Sequence, residues 1–131
     1  AYNGGDSYLS SVERYDPAFD AWEAAAPMAE ARSRLSVAVL DGKLYAVGGL
    51  GDGALSSVER YNPALDAWEA AAPMAEVRSD HDMATLDGKL YAVGGYNNGA
   101  LSSVERYNPA LDAWEAAAPM ATARVFPLAL V

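Results

Sequence analysis

The chain repeats itself every 46 residues. Val12-Glu13-Arg14-Tyr15 recurs as Val58-Glu59-Arg60-Tyr61 and again as Val104-Glu105-Arg106-Tyr107. Trp22, Trp68 and Trp114 keep the same step, as do Pro17, Pro63 and Pro109, and Met28, Met74 and Met120. Leu55 to Ala75 is identical to Leu101 to Ala121. A fixed period of about 20–50 residues marks a repeat architecture, in which each unit buries its faces only by stacking on its neighbours.

Within one unit the pattern is that of short strands. Residues 36–40 form an apolar run, strand a, and residues 43–48 form a second, strand b. Asp41-Gly42 between them is a type I′ hairpin signal, because both central residues take positive φ; Asp87-Gly88 repeats it. The glycine pair Gly48-Gly49, repeated as Gly94-Gly95, closes strand b, and its absent side chains suit close backbone packing. No Lys-Ser/Thr follows, so these are not phosphate loops. Residues 56–61 form strand c, broken by Asn62-Pro63. Residues 67–72 form strand d, against their own propensity: Ala and Glu favour helix and Asp66 could cap one. About two turns before Pro73 is marginal for a helix, so an outer strand is expected.

Composition narrows the functions. The 131 residues are 52% hydrophobic, which excludes a disordered tail, and carry a net charge of -9 from 18 acidic and 9 basic residues. A polyanion is repelled overall, so nucleic acid is not expected as a partner. With no cysteine and one histidine, His81, thiolate chemistry and a three-histidine zinc site within one chain are excluded. The missing cysteine leaves the compartment open. No run approaches the ~20 apolar residues of a membrane span, and no signal peptide is recognisable. A soluble chain is expected, cytoplasmic if expressed recombinantly.

A double glycine after strand b, then a tyrosine, six residues and a tryptophan resemble the Kelch repeat. Gly48, Gly49, Tyr61 and Trp68 carry the resemblance in one unit, Gly94, Gly95, Tyr107 and Trp114 in the next, and Tyr15 with Trp22 in a third. It implies an all-β fold: propeller blades of four antiparallel strands, a innermost, d outermost. The whole chain, 1–131, is then one propeller segment. Residues 1–30 hold strands c and d of a split blade, 31–76 and 77–122 are blades, and 123–131 hold strand a of the split blade. Its strand b has no counterpart in the sequence. Natural Kelch domains carry about six blades, so this chain supplies about half a ring. The near-identity of the units, with alanine-rich filler, resembles consensus design; a natural Kelch fragment is the alternative.

The units differ at one end. In such a blade the d–a and b–c connections emerge together, opposite the a–b and c–d turns. The d–a stretches around Arg34, Asp80-His81-Asp82 and Phe126 differ, as do the b–c loops bearing Tyr2 and Asn3, Leu50, and Tyr96 and Asn97. Rigid scaffold with variable loops is where recognition usually lives, and in Kelch domains that bind peptides this end carries the contacts. Arg34 would offer a carboxylate bidentate contact. Arg32, Arg78 and Arg124 recur in every unit and are read as structural. Asp80-His81-Asp82 is the one metal-like cluster, with His81 a weak ligand candidate. Strand alternation would put His81 opposite the aspartates, so a solvated polar loop is the simpler reading.

No catalytic or cofactor residues are expected. The first functional reading is a non-enzymatic, designed propeller scaffold that assembles with itself, as a homodimer closing a six-bladed ring. The alternative is a natural-type Kelch interaction module binding an acidic or polar peptide, as in substrate adaptors of ubiquitin ligases. The repeated tyrosines and tryptophans, Tyr15, Tyr61, Tyr107, Trp22, Trp68 and Trp114, are expected as core between adjacent blades.

Overall fold

A computed structural model describes residues 9–124. Its elements are all strands. β1 (Val12–Asp16) and β2 (Ala21–Ala25) form an antiparallel pair. β3 (Ser36–Leu40), β4 (Lys43–Val47), β7 (Val58–Asn62) and β8 (Ala67–Ala71) form a four-stranded sheet in that order, with β5 (Leu50–Gly51) and β6 (Gly53–Ala54) as a small hairpin off it. β9 (Asp82–Leu86), β10 (Lys89–Val93), β11 (Val104–Asn108) and β12 (Ala113–Ala117) repeat the sheet. All pairings are antiparallel. Each four-stranded sheet is thus the meander of one blade, with strand limits within two residues of those read in the sequence. Among the described residues no helix is long and apolar enough to cross a membrane.

Local chemistry sets the turns. Asp41 and Gly42 have φ of 51° and 74°, the positive pair a type I′ hairpin requires. At the c–d turn the Asn62 side chain accepts the Ala64 N–H at 3.0 Å, an Asx turn. Ala67–Ala71 is extended despite its alanines, because β7 offers a complete hydrogen-bonding edge from Val58 to Asn62. Tyr61 and Trp68 lie opposite each other across that pair, ring centroids 5.2 Å apart. Cross-strand pairing outweighs propensity here.

The core lies between blades rather than inside one. Alternation gives each sheet two faces. Leu40, Tyr45, Val47, Val58, Ala71 and Met74 of the first blade meet Leu90, Ala92 and Tyr107 of the second. Tyr45 packs on Tyr107 with centroids 5.6 Å apart. The innermost strands β3 and β9 are neighbours, and the Thr85 hydroxyl donates to the Val39 carbonyl at 3.3 Å.

The expectation of a uniform aromatic core is corrected. Tyr61 and Tyr107 are buried, and Trp68 and Trp114 are half-buried. Tyr15 and Trp22 are exposed, at 44% and 66%. Their sequence surroundings match those of the other units except at Asp16 and Phe19. The difference is that no blade lies against the outer face of β1–β2 among the described residues.

Candidate functional site

The antiparallel order places the a–b and c–d turns at one end of each blade and the d–a and b–c segments at the other. At that second end the variable segments are stitched together. Ser33 pairs with Leu50, and Ser79 with Tyr96, as isolated antiparallel bridges. Gly49 N–H donates to the Arg78 carbonyl at 2.9 Å, tying one blade to the connector of the next. The double glycines make this approach feasible. A Cβ on Gly48 would stand 2.5 Å from the Arg78 carbonyl oxygen, and one on Gly49 2.5 Å from that of Ser33. Gly94 and Gly95 are crowded likewise, at 2.8 Å by the Arg124 carbonyl and 2.6 Å by that of Ser79.

The residues singled out on this rim separate into two groups. Arg34 is exposed, and its guanidinium lies 3.6 Å from the Asp80 carboxylate. The two occupy equivalent positions in successive units, both with positive φ, and Asp80 N–H donates to the Arg34 carbonyl at 3.1 Å. Asp80 therefore precedes the strand, and strand alternation does not govern it. Tyr96 is exposed and Asn97 half-buried beside it. Tyr2, Asn3 and Phe126 lie outside the described residues.

His81 does not belong to an accessible rim, which corrects its place in the candidate ligand face. It is buried, between Gly48 of one blade and Gly95 of its own. Both ring nitrogens are buried, and among the described residues neither makes a hydrogen bond of good geometry, the Val47 carbonyl being a weak contact. Burial pushes its pKa down to about 4, helped by the Arg78 charge, while Asp82 and the Val47 carbonyl pull weakly the other way. The equivalent residue one unit earlier is Leu35, which lies against Gly49 as His81 lies against Gly95. Among the described residues no group of three His, Asp or Glu side chains could hold a metal ion. A cleft of about 170 Å³ lined by Glu30, Ala31, Gly51 and Asp52 opens on the same end, smaller than sites that enclose a drug-sized ligand.

Beneath the rim lies a clamp. Arg32 is buried; one guanidinium nitrogen donates to the Gly48 and Ser57 carbonyls and the other to Glu59 at 2.9 Å. The Glu59 carboxylate also accepts the Ala29 and Glu30 N–H groups. Arg78 and Glu105 repeat every bond with Gly94, Ser103, Ala75 and Glu76. A buried carboxylate supplied with two N–H donors and a guanidinium has its charge compensated and its lone pairs satisfied. The recurrence of the arginines every 46 residues points to a structural role; their glutamate partners recur at the same step, but nothing in the sequence pattern pairs the two sets.

A second set of bonds joins blades near the outer strands. Trp114 donates its indole N–H to the Ala72 carbonyl at 2.8 Å, and Asp112 accepts the Ala72 N–H at 2.9 Å. Trp68 and Asp66 do the same to Ala26. Arg14 donates to the Tyr61 hydroxyl at 2.9 Å, and Arg60 to that of Tyr107 at 3.4 Å.

Meandering four-stranded sheets packed face to face and joined by such bonds define a β-propeller segment. The Kelch motif model matches residues 2–29, 31–75 and 78–121. The chain belongs to the Kelch-repeat family. Among curated proteins it is similar to human Kelch-like protein 33, 51% identical over 41 residues, covering 31% of this chain and 8% of that one. Human Kelch-like protein 35 is 56% identical over 41 residues, covering 31% and 7%. The mouse influenza virus NS1A-binding protein homolog is 54% identical over 41 residues, covering 31% and 6%. The matches thus span less than a tenth of these relatives' lengths. Among solved structures, that of YjhT superposes with a TM-score of 0.73 at 17% identity, over 88% of this chain and 52% of that one. That likeness shows the propeller fold.

Proposed function

We propose that the chain is a non-catalytic Kelch scaffold, of consensus-designed type, that assembles with a second copy into a closed six-bladed ring. The observation that carries this reading is the exposure of Tyr15 and Trp22, whose equivalents are covered by a neighbouring blade. Leu86 is likewise 44% exposed, whereas its equivalent Leu40 is 5% exposed under the second blade. Two such faces and the innermost strand, where Val37 and Val39 are exposed, amount to an apolar surface of the kind that drives association. In this ring, residues 1–30 of one copy and 123–131 of the other share a split blade. Light scattering tests it: a mass of twice 13.8 kDa is expected, and a stable single-chain mass would refute it.

A second reading is favoured by a separate observation. The differences between units concentrate on the d–a and b–c rim, where Arg34 and Tyr96 are exposed. Kelch-repeat propellers are generally interaction modules, so this rim would recognise an acidic or polar peptide. With Asp80 already beside Arg34, a carboxylate ligand must displace that contact. A peptide array probed with the wild-type chain and with Arg34→Ala tests it; equal binding of both to every hit would remove Arg34 from the site.

A further inference from the structure

We infer that the open face of β1–β2 and the open face of the β9–β12 blade are two halves of one head-to-tail joint between two copies of this chain, keyed by Glu13 and Arg124. The inference rests on the ring reading above and names the contacts that would make the ring.

The argument comes from the joints the chain already makes. The same bonds occur twice at a 46-residue step: Arg32 with Glu59, then Arg78 with Glu105, each joining the connector that enters a blade to that blade's own strand c; and, between successive units, Trp68 with Ala26, then Trp114 with Ala72. One step further, the connector side is Arg124 and Ala118, and the strand side would be Glu13, Asp20 and Trp22 of another copy. Both sides have the required form. Arg124 donates its N–H to the Leu101 carbonyl at 2.9 Å, and its own carbonyl accepts from Gly95 at 2.8 Å, as Arg78 does with Leu55 and Gly49. Its backbone is thus held as in the formed clamps, while the residue itself is exposed. Glu13 is exposed and takes no ion pair among the described residues. Asp20 already accepts the Tyr15 hydroxyl, as Asp66 and Asp112 accept those of Tyr61 and Tyr107 in the formed joints.

Charge selects the orientation. One face offers the carboxylates of Glu13 and Asp20, the other the Arg124 guanidinium and the Ala118 N–H. Two β1–β2 faces meeting head to head would oppose carboxylates, which is unfavourable, whereas head to tail every acidic group meets a donor. Faces that differ on one molecule make a heterologous contact, which closes into a ring when the rotation permits.

The test uses the whole chain in sedimentation or light scattering. The variants Glu13→Arg and Arg124→Glu reverse charge at positions exposed in the single chain, so both are expected to keep the wild-type circular dichroism. Each alone should weaken self-association by roughly 30-fold or more, the effect of breaking a buried interfacial charge pair. An equimolar mixture should regain wild-type association, because one junction then carries the reversed pair and the other the native pair. Variants that associate as tightly as wild type would overturn the keyed joint and leave the ring reading standing. So would a mixture no tighter than its components. A wild-type chain monomeric at every concentration would instead remove the ring reading itself.

Discussion

Leu55 to Ala75 and Leu101 to Ala121 are the same sequence in two positions. Their strands, turns and registers agree: Val58–Asn62 with Ala67–Ala71, and Val104–Asn108 with Ala113–Ala117. Their burial does not. Tyr107 is 0% exposed and Tyr61 8%, because Tyr107 lies against a complete blade and Tyr61 against only the β1–β2 pair. On the other face the order reverses: Met74 is buried under the second blade, and Met120, with nothing described beyond it, is half-buried. Local structure in this protein follows the repeat, whereas burial follows a unit's position in the stack.

That contrast can be broken most severely at a formed clamp. Arg78→Ala would leave Glu105 buried without its guanidinium, and a loss of about 3–5 kcal/mol is expected in denaturant unfolding. The same change at Arg124, exposed in the single chain, should leave monomer stability near wild type. Equal losses at the two positions would show that the clamp is not what distinguishes an internal joint from an open one.

The Leu35–His81 pair separates the two connectors next. His81 resists protonation to about pH 4 in the fold, whereas an unfolded histidine takes its proton near 6.5. The unfolded state therefore binds more protons between these values. The His81 contribution to stability is expected to fall as pH drops from about 6.5 to about 4, by roughly 3 kcal/mol in total, and to level off below, where Asp66, Glu69, Asp112 and Glu115, held below the usual carboxylate range by their hydrogen bonds, begin to lose theirs. Replacing His81 by Leu, the residue its equivalent position already carries, should remove that slope. A slope unchanged in His81→Leu would assign the acid sensitivity to other groups.

Smaller effects follow at the tryptophans. Trp114→Ala removes a half-buried ring and the donor to Ala72, for a cost of about 2–3 kcal/mol. Trp22→Ala, in the same local sequence but exposed, should cost less than about 1 kcal/mol in the single chain. Thermal unfolding of the two variants at a concentration where the chain is monomeric decides whether the sequence position or the covering blade sets the cost. The least effect is expected on the outer strands. Arg106 pairs with Glu115 at the exposed edge, and Glu115→Gln should not shift the melting temperature resolvably, since such pairs contribute little.

The strands, the Asp41-Gly42 and Asp87-Gly88 turns and the glycine approach were legible in the sequence because each depends on near neighbours and recurs. In the helix-favouring Ala67–Ala71 a strand is legible only when the length of the run is weighed against Pro73. The place of His81 was not legible. Polar residues at a variable connector suggest a solvated loop, and only the approach of Gly48 to the His81 ring and of Gly95 to its Cα and Cβ shows a buried position. The Arg34–Asp80 contact was hidden for a related reason: residues 46 apart in sequence are neighbours across a blade joint.

The sequence by itself determined the unit: its period, its four strands, its turn chemistry and the family that shares them. These follow from hydrophobic alternation and backbone preference within a few tens of residues. Only the tertiary structure decided which copies of an identical side chain are core. An arginine becomes a buried clamp only where the rest of its blade follows to supply the glutamate, and a tyrosine loses its solvent only when a neighbouring blade supplies the covering face. That supply depends on the neighbours a unit has, which its own residues do not encode.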